Sequence, residues 1–174
     1  TIWRGPMVMS AINQLLTDVS WTNLDFLIID MPPGTGDAQL TLSQKVQLAG
    51  AVIVSTPQDL SLIDARKGLN MFKKVNVPIL GIIENMSYFL CSNCNEKHQI
   101  FGHGGAEKEA EKLGVPFLGA IPIDIELRSS SDKGEPIFIK DCDNAISRLY
   151  INIAKTLITE IEKNEIRKPN IILS

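Results

Sequence analysis

The chain has 174 residues, of which 44% are hydrophobic and 21% charged, and this balance is typical of one soluble globular domain with a sizeable core. Its formal net charge of -3 disfavours binding to nucleic acid or to an anionic membrane, and no apolar run reaches the roughly 18 residues of a membrane span. Three cysteines, two of them in a Cys-x-x-Cys pair, and the lack of a secretory signal pattern predict a cytoplasmic protein with metal or redox chemistry.

Helical periodicity alternates along the chain with short continuous apolar runs, which are typical of strands buried on both faces. The alternation predicts the α/β class, with a mostly parallel sheet flanked by helices in one domain or part of one. In chain order the patterns predict helix Met7–Val19, strand Phe26–Asp30, helix Ala38–Leu48, strand Ala51–Ser55, helix Leu60–Val75, strand Pro78–Ile83, helix Gly105–Leu113, strand Phe117–Ile121 and a long helix along Ile146–Ile161.

The run from Asp30 to Asp37, Asp-Met-Pro-Pro-Gly-Thr-Gly-Asp, follows the first predicted strand. Ligands of open α/β sheets bind where strands emerge, and a carboxylate there can hold magnesium through water. Gly34 allows a backbone amide to approach a phosphate oxygen. The pattern favours a nucleotide hydrolase over a simple strand-to-helix turn in which Asp37 caps the next helix. However, the phosphate-binding pattern G-x-x-x-x-G-K-[ST] is absent from the 174 residues.

Cys91 and Cys94 lie in a segment, residues 88–99, that the sequence predicts to be short and irregular. A two-residue gap lets both thiolates face one metal, but two ligands fill only half of a four-ligand site. Three completions are open. In the first, a second copy of the chain supplies the other cysteine pair. In the second, His98 and His103 complete a zinc site within one chain. In the third, the two cysteines are a redox couple.

Polar residues follow two further predicted strands. Asn85 could recognise the edge of a base, and Pro122, Ile123 and Asp124 could form a wall of the same pocket, although each alone is more often a turn or a cap. The glycines around residues 104–105 enter a predicted helix whose N-terminus could attract an anion; a turn before a helix is the favoured interpretation there.

Together these motifs closely resemble the Mrp-type iron-sulfur cluster carrier ATPases of the MinD/ParA group of P-loop NTPases. The resemblance extends from residue 3 to about residue 136. It is carried by the 30–37 motif, Ser-Thr-Pro-Gln at 55–58, Glu-Asn-Met-Ser at 84–87, Cys-x-x-Cys at 91–94, Ile-Phe-Gly at 100–102 and Leu-Gly-x-Ile-Pro at 118–122.

The resemblance implies a homodimer that binds ATP and Mg²⁺, bridges a [4Fe-4S] cluster through two cysteine pairs, and transfers it to apo iron-sulfur proteins. Asp30 corresponds to the Walker B aspartate and Gly34 to the switch II amide near the terminal phosphate. Asn85 corresponds to the adenine-recognising asparagine, with the loop from Pro122 through Ile123 to Asp124 beside it. The cluster ligands correspond to the pair at 91 and 94.

The family's P-loop and switch I aspartate lie upstream of the residues present here. We therefore expect residues 1–174 to be a partial P-loop NTPase domain, its C-terminal portion, that lacks a central strand and is inactive as an ATPase on its own. Two rival hypotheses are a non-enzymatic zinc-knuckle interaction module and a MinD-like positioning ATPase. The second lacks support, because no basic amphipathic helix ends the chain.

Overall fold

The computed structural model describes residues 5–31, 39–40, 42–43 and 46–164. Helices and strands alternate along most of this part of the chain, as the sequence predicts. The elements are α1 (Gly5–Thr17), β1 (Ala51–Ser55), α2 (Asp59–Lys74), β2 (Ile79–Glu84), β3 (Phe89–Leu90), β4 (Lys97–His98), α3 (Gly105–Leu113), β5 (Phe117–Ala120), α4 (Ile125–Asp132), α5 (Ile137–Lys140) and α6 (Ala145–Lys163). Residues 39–40 and 42–43 are also helical.

The main sheet has three parallel strands in the order β1-β2-β5. All three are continuous apolar runs, and each was predicted within one or two residues of its bounds. Their carboxyl ends are in register, because Ser55 pairs with Glu84 and Glu84 with Ala120. This shared edge therefore brings together the segments that leave the three strands.

Helices cover both faces of the sheet at β2 and β5, which explains why these two strands lack polar alternation. On one face, Ile53 and Ile82 pack with Leu69 of α2 and with the first turns of α3. On the other face, Leu118 packs with Ile153 of α6. The α/β architecture with helices flanking a parallel sheet is thereby confirmed.

The helix boundaries follow ordinary stop signals. Gly114 ends α3 in the left-handed conformation, with φ of 65°, and the Val115 amide donates back to Ala110 O at 3.1 Å. Asn76, with φ of 58°, plays the same part after α2. None of the helices in the described ranges is long and apolar enough to cross a membrane.

The predicted strand Phe26–Asp30 is wrong. The segment has no regular secondary structure, and Phe26 and Ile28 are 50% and 78% exposed. Apolar side chains alone do not make a strand, because its amides and carbonyls need a neighbouring strand. No strand among residues 5–31 or 46–164 pairs with this one.

The predicted helix Ala38–Leu48 is confirmed only in part. Residues 39–40 and 42–43 are helical, residues 46–48 are not, and residues 38, 41, 44 and 45 lie outside the described part of the chain. The prediction of an irregular segment at 88–99 is wrong in part, since residues 89–90 and 97–98 pair as a short antiparallel hairpin while residues 91–96 form its turn.

Candidate functional site

The cysteine pair lies on the turn of the β3-β4 hairpin. The Cys91 amide donates to Glu96 O at 3.0 Å, and the Asn95 amide donates to Cys91 O at 2.8 Å. Asn95 adopts the left-handed conformation, with φ of 57°, which its short polar side chain tolerates. Cys91 is half-buried and Cys94 exposed, and both are free thiols. The turn therefore presents two sulfur ligands on a structured backbone.

The surroundings of Cys91 favour the ionised form of its thiol, the thiolate. Its pKa is lowered from the ordinary value, first by a hydrogen bond from the Asn93 backbone, then by bonds from the backbone and side chain of Cys94, against a smaller opposing effect of burial. Donors aimed at a sulfur stabilise the thiolate, which is the form that binds a metal or attacks a disulfide. The local fold thus favours chemistry at this sulfur.

The hairpin rests on the carboxyl edge of the main sheet. The Ile123 amide donates to Tyr88 O at 2.7 Å, and Phe89 forms a bridge with Ile123 in the β5–α4 loop. The Lys97 ammonium lies 4.1 Å from the centroid of the Tyr88 ring, within cation–π range. The cysteine turn is therefore tied to the edge where the strands end.

The alternative zinc site formed by the two cysteines, His98 and His103 is not assembled. In the described ranges, no three His, Cys, Asp or Glu side chains are grouped so that they could hold a metal ion. His98 instead lies beside the Phe89 ring, with centroids 6.4 Å apart, and His103 is exposed. The sequence suggested that these four side chains could bind one metal, but His98 lies on β4 of the hairpin and is not grouped with the cysteines.

Two of the predicted base-recognition residues, Asn85 and Pro122, lie on neighbouring segments. Glu84 O accepts from the Ile121 amide at 2.8 Å, and the Ser87 amide donates to Ile121 O at 2.9 Å. Asn85, between them in sequence, is therefore adjacent to the chain that continues into Pro122.

The Asn85 and Asp124 side chains at this edge differ in which of their hydrogen-bonding groups are already paired within the protein. Asn85 Oδ1 accepts from the Met86 amide at 2.9 Å, which leaves Nδ2 without a hydrogen-bond partner among the described residues. Asp124 is already engaged, since Oδ1 accepts from the Leu127 amide at 2.7 Å and caps α4. Within the described part of the chain, Asn85 Nδ2 is therefore available to donate to a ligand, whereas the Asp124 carboxylate has a structural partner.

Of the residues predicted to act near the phosphates and magnesium, the structure describes only Asp30. Asp30 is exposed, and in the part of the chain that the structure describes it makes no hydrogen bond to β2 or β5. Gly34 and Asp37 lie outside the described residues. Their roles stay predictions.

Glu84 begins the Glu-Asn-Met-Ser motif at this edge, but the sequence analysis assigned it no role. Its carboxylate accepts from the amides of Gly104 and Ala106, at 3.2 and 2.8 Å, at the N-terminus of α3. The anion suggested for this helix N-terminus is thus a side chain of the protein itself. An acidic residue ending the apolar run 79–83 was the available signal, because a charge on a buried strand requires partners.

The ParA family model described as NUBPL iron-transfer P-loop NTPase matches residues 1–158. An iron-sulfur cluster transfer protein NUBPL from Dictyostelium discoideum is 51% identical over 99% of this chain and 55% of its own length. An iron-sulfur cluster carrier protein from Pseudomonas fragi is 54% identical over 89% of this chain and 54% of its own.

Among solved structures, a nucleotide-binding protein from Archaeoglobus fulgidus in complex with ADP has a TM-score of 0.66 and 41% identity, covering 81% of this chain and 60% of that one. The chain spans about half the length of the curated relatives. These similarities extend over nearly the whole chain, so it belongs to the Mrp/NUBPL family of iron-transfer P-loop NTPases.

Proposed function

We propose that this chain is the cluster-binding part of an ATP-dependent iron-sulfur carrier, and that Cys91 and Cys94 hold the cluster before it passes to apo iron-sulfur proteins. The observation that carries the proposal is the hairpin turn, which presents two free thiols, one with a lowered pKa, beside the strand ends. The names of the relatives, a cluster transfer and a cluster carrier protein, support the same cargo.

Ligand count favours sharing between two subunits. A cluster needs four protein ligands, and within the described ranges no third side chain joins the cysteine pair. A second copy would complete the set by contributing its own cysteine pair. We therefore propose a homodimer that bridges one [4Fe-4S] cluster.

The nucleotide roles extend this proposal. Asp30 would hold Mg²⁺ through water, and the Gly34 amide would approach the terminal phosphate. Asn85 would recognise the adenine edge, with Pro122, Ile123 and Asp124 forming the adjacent wall. Two observations support this assignment: Asn85 Nδ2 has no hydrogen-bond partner among the residues that the structure describes, and the Archaeoglobus relative is in complex with ADP. The cytoplasmic location stays a prediction from composition.

Anaerobic reconstitution tests the cargo assignment. The wild-type chain should acquire about two irons per chain and visible absorbance, as one bridging [4Fe-4S] cluster requires. Cys91→Ser and Cys94→Ser should both abolish uptake. Cys142→Ser is the matched control, because this third cysteine is an exposed free thiol distant in sequence from the hairpin. Equal iron content in the double serine variant and wild type would refute the assignment.

Two further measurements test the remaining parts. Sedimentation should detect a dimer after reconstitution and a lighter species for the double serine variant; a reconstituted monomer would contradict the bridging cluster. For ATP, we expect no turnover by the 174 residues alone, since the Walker A pattern is absent from them. Magnesium-dependent hydrolysis that Asp30→Asn abolishes would contradict that expectation.

A further inference from the structure

The Glu84 carboxylate is buried, with 1% of the residue exposed, at the carboxyl end of β2. It accepts three hydrogen bonds, from Ser87 Oγ at 2.6 Å, the Gly104 amide at 3.2 Å and the Ala106 amide at 2.8 Å. A buried carboxylate is costly unless such donors satisfy it. Three donors on one side chain indicate that this part of the chain is organised around it.

These donors lie on opposite sides of the cysteine hairpin in the sequence. Ser87 precedes β3, whereas Gly104 and Ala106 follow β4 and are 20 and 22 residues beyond Glu84. The carboxylate therefore joins the segment that enters the hairpin to the segment that leaves it. We call residues 88–103, which lie between these two points, the cysteine loop.

The two ends of the cysteine loop are held differently. The entering end is fixed by backbone bonds to the β5 exit, through the Ser87 amide to Ile121 O and the Ile123 amide to Tyr88 O. The leaving end turns into α3 at Gly104, whose φ is 66° and which provides no side-chain cap. Glu84 takes the place of that cap, so it carries the polar attachment of the leaving end.

We infer that Glu84 is a positioning residue for the cysteine pair: its carboxylate closes the cysteine loop and so fixes the turn on which Cys91 and Cys94 lie. The consequence for cluster retention rests on the proposed function, but the consequence for loop mobility does not. The carboxylate itself does not contact the sulfurs. It acts through the two ends of the loop.

The substitution Glu84→Gln tests this inference at nearly constant shape. A carboxamide has one acceptor oxygen, so its NH₂ group would face an amide donor and leave at least one buried N–H unpaired. Glu109→Gln is the matched control, because Glu109 is also a buried carboxylate, 4% exposed, but lies within α3 and pairs with Arg66. Ser87→Ala, which removes only the hydroxyl donor, serves if the Gln variant does not fold.

The first readout needs no cluster. In metal-free protein, NMR hydrogen exchange at the Cys91 and Asn95 amides, which form the hairpin bonds, should accelerate about tenfold in Glu84→Gln, since one unsatisfied buried donor favours opening by about that factor. Exchange at Ile153 in α6 reports global unfolding and should account for none of this excess. Glu109→Gln should leave the two hairpin amides unchanged relative to Ile153.

The second readout follows iron release from reconstituted protein to a chelator. Glu84→Gln should release iron several-fold faster than wild type and Glu109→Gln at the wild-type rate. Hairpin exchange unchanged in Glu84→Gln, or accelerated equally in Glu109→Gln, would overturn the inference. If Glu84→Gln does not fold, unchanged hairpin exchange in Ser87→Ala has the same force. Wild-type protein that binds no cluster refutes the proposed function alone, because hydrogen exchange still decides the role of Glu84.

Discussion

A methyl group added at Gly105 should destabilise the protein, because this first residue of α3 lies against the loop that follows β1. A Cβ built there would be 2.5 Å from Pro57 O and 3.0 Å from Leu62 Cδ1. The backbone oxygen cannot yield as the end of a flexible side chain can. Overpacking costs about 1–3 kcal/mol, and an approach of 2.5 Å to a backbone oxygen belongs to the upper part of that range, about 2–3 kcal/mol. The alanine helix preference recovers at most about 1 kcal/mol of that.

We therefore expect Gly105→Ala to lower the free energy of unfolding by about 1–2 kcal/mol, measured by urea denaturation monitored by circular dichroism. Gly68→Ala is the internal comparison, since Gly68 lies inside α2 and an added methyl group would meet no atom within 4 Å other than those of its chain neighbours and its own helix backbone. That variant should be about 0.5–1 kcal/mol more stable than wild type, from helix propensity alone. A Gly105→Ala protein as stable as wild type would show that the close approach of α3 to Pro57 is wrong.

Three other predictions concern the cap, the core and the thiol. Asp124→Ala should lower the free energy of unfolding by about 1 kcal/mol in urea, because it removes the hydrogen bond from the Leu127 amide, whereas Asp124→Asn should retain most of the stability. Equal stability of the Ala and Asn variants would show that this cap has no role. Leu69→Ala, at a fully buried site, should cost about 2–5 kcal/mol, and Leu60→Ala, at a 75% exposed site, less than about 0.5 kcal/mol. In metal-free protein, the pH midpoint for iodoacetamide alkylation of Cys91, followed by mass spectrometry, should lie below that of the same thiol in urea. The reason is that a lowered pKa leaves more thiolate at low pH. Coincident midpoints would contradict the hydrogen bonds to the sulfur.

Sequence patterns predicted the sheet well where burial on both faces dictates composition. The runs of β2 and β5 are apolar because helices cover both sides, so their pattern reports their environment directly. One face of β1 packs on α2, and Val54 on its other face is apolar although it is 59% exposed. The apolar run before Asp30 has a similar composition, but it pairs with no strand among the described residues. Composition alone does not show whether a neighbouring strand is available for pairing. The same limit hid β3 and β4, whose two-residue ladder is too short for a periodic signal.

The site was predicted in part for a related reason. The cysteine spacing and the strand-end position of Asn85 are local signals, because each can be recognised from a few adjacent residues. The role of Glu84 depends on Gly104 and Ala106, 20 residues and more downstream, and no local pattern links them. His98 and His103 illustrate the converse, since they are near the cysteines in sequence but do not join them as ligands.

The outer edge of β1 has a consequence for work with this chain in concentrated solution. Among the described residues, β1 pairs with β2 on one side and with no strand on the other, and Val54 on this edge strand is 59% exposed. Unpaired strand edges that carry apolar side chains are templates for aggregation through intermolecular β-pairing. Such aggregates need no cysteine, so reducing agents would not dissolve them, and loss of sample would be mistaken for failed cluster assembly unless the two are measured separately.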